Sequence, residues 1–343
     1  MTGRWAAQFV QCVQFARGRR TATGIDVGAG EVRVVVLSRV GRRADVRLDG
    51  LEIEPLGDTN GREGGRWDAV GPALAAAASR LAARGVRCDA RGVMGLGDDE
   101  LRTARLDLAG RDDVAEAARQ AAERVSGLAP DALAFDWRHD GHDGCRGGRP
   151  GEVAIAVASQ RHLQRRIDAA ALAGVDLTAV DGESIAALRA LRYAALHELD
   201  ADEPYFAIWF GDEGVRGWWL EHGAGGSPAG SQAAFQAAFQ AHSQAASQAS
   251  LQFDFPDRAH AALADALRTF AQRPAGCAFV AGDVRCLARF GVSLADVGDL
   301  LGAVALPFES VHWAGDARAA AHADLHSPSF AVAFGLALKG VWA

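Results

Sequence analysis

The sequence predicts a two-lobed α/β protein with mixed sheets. Two observations carry that prediction. Strands and helices alternate along 343 residues, a length that suits two domains or one large two-lobed one. Each half also opens on a strand–Gly–strand hairpin, "TATGIDVGAGEVRVVVLS" (Thr21–Ser38) and "PYFAIWFGDEGVRGWWLEHG" (Pro204–Gly223). Two such halves facing each other leave a cleft between them.

The elements follow in order. "EVRVVVLSR" (Glu31–Arg39) and "ADVRLDGLEIEP" (Ala44–Pro55) are consecutive strands, with "GRR" as the turn. "RWDAVGPALAAAASRLAARG" (Arg66–Gly85) has helical i, i+4 apolar spacing and a Gly stop. "RGVMGLG" (Arg91–Gly97) and "LRTARLDL" (Leu101–Leu108) are short strands. "RDDVAEAARQAAERVSG" (Arg111–Gly127) is a helix whose first acids suit the positive end of its dipole. "DALAFDWRH" (Asp131–His139) is a strand, and a Gly-rich loop, Asp140–Gly151, follows it. Next come a buried-looking strand, Glu152–Ser159, and a helix, Gln160–Gly174. Val175–His197 is a strand running directly into another helix. After the second hairpin, "GAGGSPAGSQAAFQAAFQAHSQAASQASLQ" (Gly223–Gln252) repeats QAAF and holds no Asp, Glu, Lys or Arg. It reads as a loop followed by an exposed helix. Asp257–Pro274 is helical, Cys277–Asp283 is a strand ending in a Gly turn, and Ser327–Trp342 closes the chain as a helix.

Composition narrows the function. Hydrophobic content of 49% and charged content of 23% are those of a soluble globular chain. A net charge of −7 gives no ground for a general nucleic-acid role. The five cysteines are odd in number and lack short paired spacing, which points to a reducing compartment. No apolar run approaches the roughly 20 residues of a membrane span. The first stretch, "MTGRWAAQFVQCVQFARGRR", sets Trp5, Phe9, Val13 and Phe15 among Arg4, Arg17, Arg19 and Arg20, with no acid. It reads as a loosely packed basic tail, with a membrane-surface amphipathic helix as the alternative.

The turn at Gly28–Gly30 can bring backbone N–H groups close to an anion, and it is also what any tight hairpin looks like. "HDGHDGC" (His139–Cys145) has zinc-ligand residue types, but ordinary turn chemistry accounts for it, so no metal is expected. Ser184 has no nucleophile context, and Asp181-Gly182-Glu183 reads as a helix start. Cys277 and Cys286 read as buried structural thiols. Trp209, Trp218 and Trp219 read as packing residues, with a binding surface as the alternative.

Four quoted stretches resemble the PilM family, the actin-like protein of type IV pilus assembly, whose fold the cytoplasmic domain of type II secretion L proteins shares. They are "GIDVGAGEVRVVVLS", "LRTARLDLAGRDDVAEAARQAAERVSGLAPDALAFDW", "VAIAVASQRHLQRRIDAAALAGVDLTAVDGESIAALRA" and "FAVAFGLALKG". The resemblance implies an actin-like (ribonuclease H-like) two-lobed fold with an inserted small subdomain. It implies these divisions: a basic segment 1–20, a first subdomain 21–90, the inserted subdomain 91–150, a second-lobe core 151–222, a low-complexity insertion 223–256 and the rest of the second lobe 257–343. The implied partner is the N-terminal tail of a PilN-like single-pass inner-membrane protein, held near Met94, Leu96, Leu101, Ala104, Leu106 and Leu108. The implied place is the cytoplasmic face of the inner membrane, in the pilus assembly platform. A secretion-system homologue ranks below, because it would carry a transmembrane segment.

The family's nucleotide site maps onto Asp26, Gly28, Ala29, Gly30, Gly211 and Gly282. Each actin-like hairpin would place an Asp two residues before a Gly, to hold hydrated Mg²⁺ near phosphates. Asp26 and Gly28 match, but Trp209 stands two residues before Gly211. An indole supplies no carboxylate, and Glu31 adds negative charge beside a triphosphate. The expectation is a vestigial site, a non-enzymatic chain, and no cofactor or only weak ATP/Mg. The alternative is an actin-fold ATPase or small-molecule kinase with Asp26 at the Mg-nucleotide.

Overall fold

A computed structural model describes residues 19–40, 46–57, 63–88, 91–108, 113–139, 152–200, 203–212, 214–220, 250–254, 260–314 and 326–342. The first lobe is built on strands β1 (Arg19–Val27), β2 (Glu31–Val40), β3 (Arg47–Pro55), β4 (Gly92–Leu96) and β8 (Leu177–Gly182). Their order is β3-β2-β1-β4-β8, the first three antiparallel and the last two joined in parallel. The second lobe repeats the scheme with β9 (Tyr205–Phe210), β10 (Gly214–Leu220), β11 (Ser250–Asp254), β12 (Cys277–Gly282) and β13 (Val304–Pro307). Its order is β11-β10-β9-β12-β13. The same mixed sheet twice is the actin-like architecture that the resemblance implies.

β-Branched and aromatic runs make these strands. β1 and β9 are central, so their residues are buried on both faces rather than alternating. Helix α1 (Glu63–Ala83) covers one face of the first sheet, burying Val70, Leu74 and Leu81 against Ile25, Val34 and Val36.

The inserted subdomain is a third sheet, made of β5 (Leu101–Asp107), β6 (Leu133–His139) and β7 (Glu152–Ser159). It is ordered β5-β7-β6 and is wholly antiparallel. Helix α2 (Val114–Ser126) packs on one face through Ala118, Ala121 and Ala122. Its ends are set by the Asp113 carboxylate, which accepts from Glu116 N, and by left-handed Gly127. Helix α3 (Gln160–Leu172) returns the chain to the first lobe, where Ala169 and Ala170 join the core under α1.

Four division boundaries need correction. β4, which the division places in the inserted subdomain, lies in the first-lobe sheet between β1 and β8. β7, which the sequence assigns to the second lobe, is the middle strand of the inserted sheet, because its alternating Val153, Ile155 and Val157 pack under α2. β8 belongs to the first lobe, since it pairs with β4, and the following helix α4 (Glu183–Glu198) packs on strands of both lobes. The second lobe therefore begins at β9. Residues 250–254, assigned to the low-complexity insertion, are strand β11, paired with β10 along "SLQFD". The exposed helix expected in the Gln/Ala tract lies outside the described residues.

The second lobe is filled out by α5 (His260–Phe270), α6 (Arg285–Arg289) and α7 (Leu294–Leu301). The last helix, α8 (Ala331–Trp342), crosses back and packs against β1 and α4. The core cluster that contains α4 and α8 also includes Tyr205, Phe279 and Phe308 of the second lobe and Leu37 of the first. This helix pair is what joins the lobes. The crossing is close because Gly335 has no side chain: a Cβ there would lie 1.9 Å from Ala186 O. An ionic knot pins it. Asp181 accepts from Arg189 Nη2 at 2.7 Å and from Lys339 Nζ at 3.3 Å, and Arg189 Nη1 donates to Gly335 O at 3.0 Å. Burial pushes the Asp181 carboxyl up, but the Arg189 and Lys339 charges outweigh it and hold it below its usual value.

Candidate functional site: the interlobe cleft

The two hairpin turns face one another across a cleft of about 320 Å³, lined among others by Trp67, Asp99, Glu100, Glu183, Trp209 and Asp212. On the first-lobe side, Ala29 and Gly30 are exposed and Gly28 is buried. Gly28 N donates to Glu31 O at 3.0 Å, so that amide is spent within the turn.

Asp26 is 4% exposed and already neutralised. Its Oδ2 accepts from Arg33 Nη1 at 2.8 Å, while Arg33 Nη2 and Nε reach Glu31 Oε1 at 2.6 and 2.9 Å. Desolvation raises the Asp26 carboxyl above its ordinary value, and Arg33 only partly offsets this. The Arg33 guanidinium also covers the turn, since a Cβ on Gly28 would lie 3.0 Å from its Nη1. Arg66 closes the other side, its Nη2 donating to Val27 O at 2.8 Å and Gly28 O at 2.7 Å.

On the second-lobe side the Trp209 ring lies over Gly211, 2.6 Å from where a Cβ would sit. Trp209 is 7% exposed and Asp212 is exposed beyond the turn. Gly282 ends β12 with φ of 98°, and a Cβ there would lie 2.0 Å from Phe210 O, so only glycine fits. Asp283 N then donates to Phe210 O at 3.1 Å.

Ion pairs cross the cleft directly. Arg216 of β10 donates from Nε to Asp98 Oδ2 at 3.0 Å, and Arg285 approaches Glu31 at 3.7 Å. Arg166 stacks 4.6 Å from the Trp67 ring centroid, donates to Gly95 O at 2.6 Å and pairs with Glu100. A fit to Mg-triphosphate fails on three counts. A guanidinium already neutralises Asp26, an indole covers the second turn, and Asp98, Asp99, Glu100, Glu183 and Asp212 line the space.

Glu183 opens α4 at the cleft floor. Desolvation pushes its carboxyl well above the usual 4.5, the Asp26 and Asp212 charges add to this, and Arg166 opposes it. The folded state therefore holds a proton that the unfolded chain releases first. Its stability contribution is present below 4.5 and is lost as pH rises through the shifted value. Glu183→Gln is accordingly expected to raise the melting temperature at neutral pH and to leave it unchanged in acid. Scanning calorimetry across that range checks both.

Met94 and Leu96 are corrected as partner-binding candidates. They sit 0% and 1% exposed in β4, between β1 and β8, where no tail can touch them. Ala104, Leu106 and Leu108 are half-buried toward α2, and the Leu101 side chain lies 2.8 Å from where a Cβ on Gly182 would sit. Among the described residues β5 pairs only with β7, which leaves its other edge open.

Burial raises the thiol of Cys277 to about 11 and that of Cys286 to about 12. Trp209 and Trp219 are core residues, and Trp219 Nε1 donates to Pro274 O at 3.2 Å. Residues 140–151, which hold most of the His/Asp/Cys cluster, lie outside the described residues. Sequence reasoning does not single out Arg33, Arg66, Arg166 or the cleft role of Glu183.

No protein-family model and no curated protein matches the chain. Solved structures do. One chain of the PilM–PilN type IV pilus biogenesis complex is 19% identical, with a TM-score of 0.63 over 93% of this chain and 98% of that one. The cytoplasmic domain of EpsL, an inner-membrane component of the Vibrio cholerae type II secretion system, is 9% identical over 76% and 81%, with a TM-score of 0.38. A Bacteroides thetaiotaomicron protein of actin-like ATPase fold and unknown function is 6% identical over 85% and 91%, with a TM-score of 0.44. The repeated five-stranded mixed sheet makes the class an actin-like fold. Within it, this chain shares the fold of a chain of the PilM–PilN complex over 93% of its length.

Proposed function

We propose that this chain is an assembly protein of type IV pilus biogenesis. It takes up the extended N-terminal tail of a PilN-like single-pass inner-membrane protein, at the cytoplasmic face of that membrane. The observation that carries this reading is the fold match to a chain of the PilM–PilN complex, over 93% of this chain and 98% of that one. The open edge of β5 supports it, because an unpaired strand edge offers its N–H and C=O groups to an incoming strand. Leu101 at the start of β5 offers an apolar contact beside that edge. Among the described residues no helix is long and apolar enough to cross a membrane. In this reading the partner supplies the anchor. The cleft, in this reading, is a structural seam rather than a nucleotide site, and the chain is not an ATPase.

Calorimetric titration with the synthetic N-terminal tail of a PilN-like protein encoded beside this chain tests the proposal. Saturable one-to-one binding is expected. A folded chain that releases no heat and shows no binding by a second optical method overturns it.

A further inference from the structure

The inserted sheet joins the first lobe through a narrow neck. The chain enters it by the turn Gly97–Glu100 between β4 and β5, and leaves it at Ser159, where β7 runs straight into α3. The turn is tight, since Glu100 N and Leu101 N both donate to Gly97 O, at 3.0 and 3.1 Å. Glu100 fastens the way in to the way out. Its Oε2 accepts from Gly97 N at 3.2 Å and pairs with Arg166 of α3, and its Oε1 lies 3.4 Å from His162 Nδ1 of the same helix. Arg166 also holds β4, through its bond to Gly95 O.

The second lobe grips this neck. Asp98, inside the turn, accepts from Arg216 Nε of β10 at 3.0 Å. The two side chains are 15% and 22% exposed, so water and salt screen the pair only in part. Arg216 is anchored in its own lobe, because its Nη1 donates to Asp254 Oδ1 of β11 at 2.9 Å. Bonded groups therefore run from the second-lobe sheet through Arg216 and Asp98 to the turn whose next residue, Leu101, begins β5.

We propose that the Asp98–Arg216 ion pair is a strap that sets the orientation of the inserted sheet, and with it the open edge of β5, against the second lobe. Its consequence for tail uptake rests on the assembly reading; the strap itself does not. In the structure the pair is made and the edge is open, so the strapped state is the one that accepts a strand. A site that is competent only part of the time binds more weakly by that fraction. The linkage is reciprocal, so a tail on β5 narrows the range of lobe positions.

Two measurements test this. Spin labels at Asp131→Cys, before β6, and Arg268→Cys, on α5, report the distance between inserted sheet and second lobe. The chain also carries Cys12→Ser and Cys145→Ser, and Cys88, Cys277 and Cys286 are buried. Electron–electron double resonance should give a narrow distance distribution, broadened by Asp98→Ala. Calorimetric titration with the PilN-like tail should show Asp98→Ala and Arg216→Ala each binding about fivefold more weakly. The double variant should be no weaker than either, as for two groups acting as a pair. Asp254→Ala, which removes the other acceptor of Arg216 and leaves the neck held, should bind like the unaltered chain. A distance distribution unchanged by Asp98→Ala overturns the proposal whether or not the tail binds. So does a tail that binds the unaltered chain and Asp98→Ala equally. A tail that binds none of the chains strikes the assembly reading instead, and the distances then decide the strap alone.

Discussion

Gly335→Ala is expected to cost about 3 kcal/mol or more of folding stability, read as a lowered midpoint in urea. The added methyl would sit 1.9 Å from Ala186 O and 2.6 Å from Ala186 C. These are backbone atoms of α4, so no rotamer change can make room. Nor can α8 retreat, because on its far side a Cβ at Gly24 of β1 would already lie 1.9 Å from Ala333 O. The helix is wedged between strand and helix, and one methyl must drive them apart. Separation also stretches the bond from Arg189 Nη1 to Gly335 O and loosens the carboxylate that Arg189 shares with Lys339. Gly30→Ala is the control. It meets nothing within 4 Å, and its effect should stay within about 0.5 kcal/mol. If both variants unfold at the wild-type midpoint, the close helix crossing is wrong.

The hairpins were legible because their signal is local: a β run, a Gly turn and a second β run fix β1–β2 and β9–β10 without knowledge of the rest. The α2 helix announced itself through the acids at its start, Asp112 and Asp113. Boundaries that depend on partners were not legible. β7 looks like any buried strand, and only its pairing with β5 and β6 assigns it to the inserted sheet. β11 was hidden because "SLQFD" follows a biased tract, and its partner β10 lies some 30 residues earlier, as the pairing of Trp218 with Ser250 shows. Met94 and Leu96 were misplaced for a similar reason, since apolar residues in a strand look alike whether they face a groove or the sheet's centre. The indole in the second turn was visible in the sequence. The guanidinium in the first was not singled out, although the signal was present. A turn at Gly28–Gly30 pairs Val27 with Val32 and hence Asp26 with Arg33. An Asp between Ile25 and Val27 opposite an Arg between Val32 and Val34 is a pairing the register alone predicts.

That pairing yields the second large effect. Arg33→Met is expected to cost about 3–5 kcal/mol at neutral pH, because it strands a buried carboxylate and removes the counter-charge of Glu31. Asp26 is buried and its carboxyl already stands above 3.8, raised by desolvation and held back by Arg33. Without the guanidinium the rise goes unopposed. The native variant then keeps a proton that the unfolded chain gives up near 3.8, so its stability falls as pH climbs from there through the shifted value. The deficit against wild type should be largest at neutral pH and shrink in acid. Asp26→Asn combined with Arg33→Met should recover much of the loss, since no charge is then left unpaired. A deficit that is flat with pH, or a double variant as weak as the single one, would show that Arg33 matters through packing alone. Mg-ATP gives the independent reading. A ligand bound only by the folded chain must raise its melting point, and with Arg33 and Trp209 in place millimolar Mg-ATP should not move that of the wild type. A clear rise would mean that the cleft admits nucleotide despite the guanidinium seated on Asp26, and the structural-seam reading of the cleft would fall with it.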